Sequence, residues 1–253
     1  MNLLVKLLFV GKYFVYAVIF SSIFSLKVYA TTDLEHCKLS FEQANYQAAF
    51  AYCKKAADQQ SVEAQFYLGS LYAIGKGVKQ DYAEAFRLYR NAAMCGHPQA
   101  QYNVGFMFEK GTGVKQDYFK AVEWYRKSAM QGDIDAQYSL GVMYYEGYGV
   151  RQNYSEAAKW YKIAAKNGDE RAQLVYGYMC YNGLGRKVDY FEAFKWYQKL
   201  ANKGNAPAQL MLGVMYKYGQ GVRQNFSMAK KYYGLACDNK LQKGCDFYKK
   251  MNQ

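Results

Sequence analysis

Glycine recurs in this chain on a fixed step. Gly69, Gly105, Gly141, Gly177 and Gly213 stand 36 residues apart, and the pairs Gly75/Gly77, Gly111/Gly113, Gly147/Gly149, Gly183/Gly185 and Gly219/Gly221 keep the same interval. So do the alanines of an Ala-Gln dipeptide at Ala64, Ala100, Ala136, Ala172 and Ala208, and the tyrosines Tyr89, Tyr125, Tyr161, Tyr197 and Tyr233. The stretch LGVMYYEGYGV, starting at Leu140, returns as LGVMYKYGQGV from Leu212. A period of this size means that one supersecondary unit is copied and stacked, because a single copy cannot bury its own apolar face.

The spacing inside a unit predicts two helices. Ala64, Leu68, Leu71 and Tyr72 fall at i, i+4, i+7 and i+8, a helical stripe and not the alternation of a strand. A glycine within such a helix costs about 1 kcal/mol relative to alanine, so its return in five units implies close approach by a second helix. The Gly-x-Gly pair then stops the first helix, since glycine enters the left-handed region without a Cβ penalty. Asp81, Asn153 and Asp189, with Glu84, Glu156 and Glu192 three residues on, have the form of a capping box that opens the second helix. That helix is expected from about Tyr82 to Cys95, with Tyr82, Ala85, Tyr89 and Ala93 as its packing face and Gly96 as its stop.

The pattern resembles the Sel1-like repeat family, relatives of the tetratricopeptide repeat. In the third unit the matching residues include Ala136, Tyr138, Leu140, Gly141, Tyr144, Gly147, Gly149, Val150, Ala157, Trp160, Tyr161, Ala164, Ala165 and Gly168. The resemblance implies an all-α, right-handed superhelical solenoid of 36-residue αα units at 61–96, 97–132, 133–168, 169–204 and 205–240. It also implies an adaptor that binds a protein or peptide, with no cofactor and no chemistry common to all members. The fourth unit departs from the pattern, because its loop, GLGRKVDY, has Arg186 where the others have a buried valine. That loop is expected to pack differently.

Atypical ends fit a stack with capping units. Residues 31–60 align through Tyr46 and Ala49 but lack the Gly-x-Gly pair, as a shortened hairpin would, and 241–253 are expected to form a final helix with Lys249 and Lys250 facing water. Cys37 and Cys53 flank Asn45 at equal distance, so a hairpin turning there brings them level for a disulfide. Cys237 and Cys245 have a spacing similar to that of the Helicobacter cysteine-rich proteins, a disulfide-bearing branch of the family, and the resemblance implies a second bridge. Cys180 takes the slot of Tyr72, Phe108, Tyr144 and Tyr216 and reads as a small buried apolar residue. Cys95 is the exposed candidate.

Residues 1–30 read as a signal peptide: Lys6 and Lys12 precede an apolar run, and the segment closes on VYA before Thr31. The alternative is an uncleaved anchor over Leu7 to Leu26. Either reading carries the rest of the chain across a membrane, into the periplasm or beyond. The full chain has a net charge of +13, and three of its lysines lie in the leader, leaving about +10. Such a charge suits an anionic surface. Nucleic acid is an unlikely partner, since there is no zinc-finger spacing or aromatic RNA-binding motif. The two histidines, His36 and His97, lack the spacing of a metal helix and read as surface or loop residues.

Some cysteine-rich relatives carry a β-lactamase label, and Ser227-Met-Ala-Lys230 has the Ser-x-x-Lys form, but no Ser-Asp-Asn or Lys-Thr-Gly accompanies it. An envelope hydrolase or penicillin-binding protein is therefore the alternative to an adaptor, and a self-associating structural module is another; the chain is read as no enzyme.

If the scaffold repeats, recognition should lie where the units differ. The positions of Glu63, Tyr67, Ser70 and Ile74 vary from unit to unit along one stripe, which in related repeats lines the concave surface. Further along they name Gln99, Asn103, Phe106 and Lys110, then Asp135, Ser139, Val142 and Glu146, then Arg171, Val175, Tyr178 and Asn182. A second candidate is a basic ladder, Lys79, Lys115, Arg151, Lys187 and Arg223, two places after each second glycine.

Overall fold

The reason for the recurring mid-helix glycine is a tyrosine ring. In the computed structural model, which describes residues 32–251 and 253, a Cβ placed on Gly69 would stand 3.0 Å from the Tyr89 ring, and on Gly141 2.8 Å from Tyr161. The same holds for Gly177 against Tyr197 at 3.1 Å and Gly213 against Tyr233 at 2.5 Å. Each tyrosine is nearly inaccessible to solvent. The two helices of a unit thus close on one another through a ring laid flat on a bare backbone.

The described residues are all helix and turn, without a strand, and fall into two compact bodies. The first, ending at Gln116, holds α1 (32–42), α2 (Tyr46–Asp58), α3 (Val62–Ile74), α4 (Tyr82–Met94) and α5 (Pro98–Lys110). From Asp117 the second holds α6 (Tyr118–Met130), α7 (Ile134–Glu146), α8 (Tyr154–Lys166), α9 (Glu170–Asn182), α10 (Tyr190–Ala201), α11 (Ala206–Tyr218), α12 (Phe226–Asp238) and α13 (Gln242–Lys250). From α2 to α5 and from α6 to α13, each helix packs on the next, as the paired-helix solenoid requires. The signal peptide expected over residues 1–30 lies outside the described residues.

Both glycines of the Gly-x-Gly pair are in the left-handed region, but they do different work. The first ends the helix: Gly147, at φ 81°, donates its amide to the carbonyl of Met143. The second lets units stack. A Cβ on Gly149 would lie 2.3 Å from the carbonyl oxygen of Tyr118, the first residue of α6 in the preceding unit, and Gly185 and Gly221 meet Tyr154 and Tyr190 at the same distance. No side chain fits in that space.

The repeated glutamine after the alanine is equally structural. Buried Gln137 on α7 donates from Nε2 to the carbonyl of Ala129 at the end of α6, 3.3 Å, and its Oε1 accepts from Asn167 at the end of α8, 3.0 Å. One amide therefore ties three helices. Gln209 does the same with Ala201 and Asn239. Gln173 bonds Ala165 at 3.0 Å, but Lys203 stands where those two units have their asparagine, and the buried Gln173 Oε1 has no partner.

Two local expectations need correction. Asp81, Asn153 and Asp189 do cap their helices, accepting from the amides of Glu84, Glu156 and Glu192. Their own amides, however, bond carbonyls of the preceding helix, Tyr72, Tyr144 and Cys180, and not the glutamates. The glutamates turn outward, Glu84 to Arg87, Glu156 to Lys159 and Glu192 to the Trp196 indole. Only half of the capping box exists, because the close helix-to-helix turn already satisfies the other donor. Tyr82 is 42% exposed, so the packing face of α4 is Ala85, Leu88, Tyr89, Ala92 and Ala93.

Disulfides close both terminal hairpins: Cys37 to Cys53 joins α1 to α2, and Cys237 to Cys245 joins α12 to α13. Cys180 is fully buried and Cys95 exposed. Gly244 lies 2.7 Å, measured from a modest added Cβ, from Ala236, so α13 packs directly on α12 while Lys249 and Lys250 remain in solvent.

Candidate functional site

The variable stripe becomes a groove in the second body. Side chains from α7, α9 and α11 enclose a cavity of about 490 Å³, apolar over most of its wall. Its floor is the pair of tyrosines, Tyr161 and Tyr197, whose rings cover the repeat glycines. Tyr138, Val142, Val175 and Tyr178 supply its sides, and Glu146 is its sole charged lining group. Burial pushes the Tyr161 hydroxyl well above the usual phenol range, so the floor stays uncharged. Periodicity named Val142, Glu146, Val175 and Tyr178 here. It missed the tyrosine floor, because those rings come from the second helix of each unit and were read as core.

Several stripe residues of this body are engaged with other groups of the chain. Arg171 donates to Asp135, its equivalent one unit earlier, and to Asp169, both at 2.5 Å, with its guanidinium 4.4 Å from the centroid of Tyr138. The hydrogen bonds it donates to Asp169 and Asp135 raise its pKa further. Arg171 and Asp135 thus join consecutive units through an ion pair while both side chains remain exposed. Ser139 is half-buried, and exposed Asn182 bonds back to the Tyr178 carbonyl at 2.9 Å.

In the first body the stripe residues Asn103 and Phe106 line a small hollow of about 180 Å³. Tyr89 also lines this hollow, and its hydroxyl donates to Ser70 at 3.0 Å. Phe106 is 41% exposed with the Lys110 ammonium 5.6 Å from its ring, and Gln99 is exposed at the helix start.

The ladder residues Lys79, Lys115, Arg151, Lys187 and Arg223 are all exposed, and none forms an ion pair among the described residues. Ser227 and Lys230 are not joined by a hydrogen bond. Lys230 instead places its ammonium 5.6 Å from the Tyr248 ring centroid. Among the described residues no group of three metal-ligating side chains converges, and no helix is long and apolar enough to cross a membrane. His97 caps α5 by accepting from the Ala100 amide at Nδ1, 3.2 Å, and stacks on Phe66. His36 is exposed.

Paired helices repeated through glycine-to-tyrosine contacts define an αα-repeat scaffold. The chain belongs to the Sel1 repeat family, whose pattern matches residues 40–61, 62–97, 98–133, 134–169, 170–205 and 206–241. It is similar to a protective antigen present in uropathogenic Escherichia coli strains that displays an SLR fold, at 35% identity and a TM-score of 0.80, over 85% of this chain and 47% of that one. The chain thus spans about half the length of that relative. A Sel1 repeat protein from Oxalobacter formigenes is similar at 34% identity and a TM-score of 0.75, over 83% of this chain and 85% of that one. Helicobacter pylori cysteine rich protein B is similar at 26% identity and a TM-score of 0.41, over 51% and 92%. A search of curated proteins found no match.

Proposed function

We propose that the chain is an exported adaptor whose groove along α7, α9 and α11 receives an extended peptide segment with apolar side chains and a basic residue. The observation that carries this reading is the groove itself, about 490 Å³ of mostly apolar wall open at the surface of a rigid repeat, with a carboxylate at one edge. Aromatic-lined, largely preformed grooves suit peptide recognition, since tyrosine offers large contact area with few rotors. Glu146, exposed and without an ion-pair partner among the described residues, complements a basic residue of the ligand. The basic ladder serves long-range attraction to anionic surroundings in this reading. Export is supported by the leader and by the two disulfides, which persist where the environment is oxidising.

Selection from a displayed peptide library tests the assignment. Peptides recovered on the wild-type protein should carry a basic residue beside apolar ones, and Tyr178→Ala with Glu146→Lys should weaken them at least tenfold at unchanged helical content. Both side chains are exposed, so the scaffold does not need them. Undiminished affinity in the double variant would move the binding surface elsewhere.

A further inference from the structure

The fourth unit departs from its siblings in the α9 to α10 loop, and there the surface changes character. In the first, second, third and fifth units a glutamine of this loop donates to the end of the preceding helix, as Gln152 does to Tyr145 and Gln224 to Lys217. The fourth has Val188 instead, which packs toward Gly183, and Arg186 where Val78, Val114, Val150 and Val222 stand. Arg186 donates to the Tyr176 hydroxyl and, at 3.2 Å, to Asp189, while its Nε, closed off from solvent, has no acceptor. Beside it opens a cleft of about 420 Å³ between this loop and α8, with Lys159, Lys162, Arg186 and Lys187 on its wall.

We propose that this cleft binds a phosphate group. Four cations face it against one carboxylate, Asp189, and that carboxylate is already engaged by Arg186 and by the Glu192 amide at 2.9 Å. Lys159 is held by Glu156 on the same helix, but Lys162 and Lys187 have no ion-pair partner among the described residues. Ser155 donates to the Gly185 carbonyl at 2.7 Å and fixes the loop backbone, which carries Arg186 and Lys187, on α8. A second cleft, of about 460 Å³, shares Ser155 and Gly185 and adds Arg151. Two uncommitted ammonium groups beside a guanidinium suit a phosphate, whose higher charge and three or four oxygens reach more of them at once than a carboxylate does. The same chemistry serves inorganic phosphate and a phosphomonoester.

Titration of the full chain, followed by amide chemical shifts at Ser155, Gly185 and Lys187, tests the site with inorganic phosphate, glycerol phosphate and acetate. Either phosphate should bind at low salt, acetate at least tenfold more weakly, and the tighter of the two phosphates identifies the source. Arg186→Val restores the residue of the other units and so should fold normally, yet should weaken phosphate at least tenfold, as should Lys162→Gln. Lys243→Gln, on α13, should leave binding unchanged. Absent binding, acetate as tight as phosphate, unaltered affinity in Arg186→Val, or equal weakening by Lys243→Gln would each overturn the proposal.

Discussion

Single side chains set the tolerances of this scaffold, and Gly141 is the clearest case. Leucine there would drive a side chain into the Tyr161 ring, which is 3% exposed and has no room to move. Overpacking of this kind costs about 1–3 kcal/mol, so the urea midpoint of Gly141→Leu should fall; an unchanged midpoint would place this glycine at the surface. Gln173 invites the opposite experiment. Lys203→Asn supplies the amide that Asn167 and Asn239 give to Gln137 and Gln209, and should raise stability by up to about 1 kcal/mol, since the exposed Lys203 to Glu170 pair that it removes is worth little. The cysteines divide by burial. Burial pushes the Cys180 thiol up to about 11, despite Arg186 nearby, and a thiol that holds its proton is a poor nucleophile. Alkylation at neutral pH should therefore mark Cys95 in the folded protein and Cys180 only after denaturation.

Helices are bounded here by caps that recur with small changes, and one change makes a cap pH-dependent. Ser61, Asp133, Asp169 and Asn205 open their helices with an oxygen acceptor, whereas α5 uses the His97 imidazole. Burial lowers the His97 pKa, and the cap requires the neutral ring, so the native state binds this proton less readily than the unfolded chain. Stability from this group is full above about pH 6.5, the unfolded value, and drains away as pH falls through the lower folded value. His97→Asn keeps an acceptor without a titrating group and should flatten the fall between neutral pH and pH 5 seen by urea denaturation; an identical fall in both proteins would remove His97 as its cause. Element boundaries of this kind were legible in the sequence, because caps, glycine stops and the 36-residue step lie within one unit. What escaped were contacts between units: Gly149 against the Tyr118 carbonyl, Gln137 bridging three helices, and Arg171 clasping Asp135. The first and last join residues about one repeat apart, and the second ties a unit to the helix before it; a periodic pattern records that a position is fixed without naming what fixes it.

At the scale of the molecule, the repeats supply a frame and the departures from it supply the candidate sites. The bridges Cys37 to Cys53 and Cys237 to Cys245 brace α1 and α13, the first and last helices among the described residues. Reduction should lower the thermal midpoint, each bridge typically contributing about 2–4 kcal/mol, and mass mapping of protein recovered from the periplasm should find both bonds; free thiols at those positions would refute export into an oxidising compartment. The groove was half legible: the variable stripe gave its walls, but its tyrosine floor was hidden among positions that looked like core. Recognition along that groove is the central claim, and site-specific photo-crosslinking tests it most directly. With a photoreactive phenylalanine at Tyr178, a peptide selected on the wild-type protein should crosslink in high yield, and with the same group at Lys195, on α10 outside the groove, it should not. Crosslinking from Lys195 with none from Tyr178 would contradict the account.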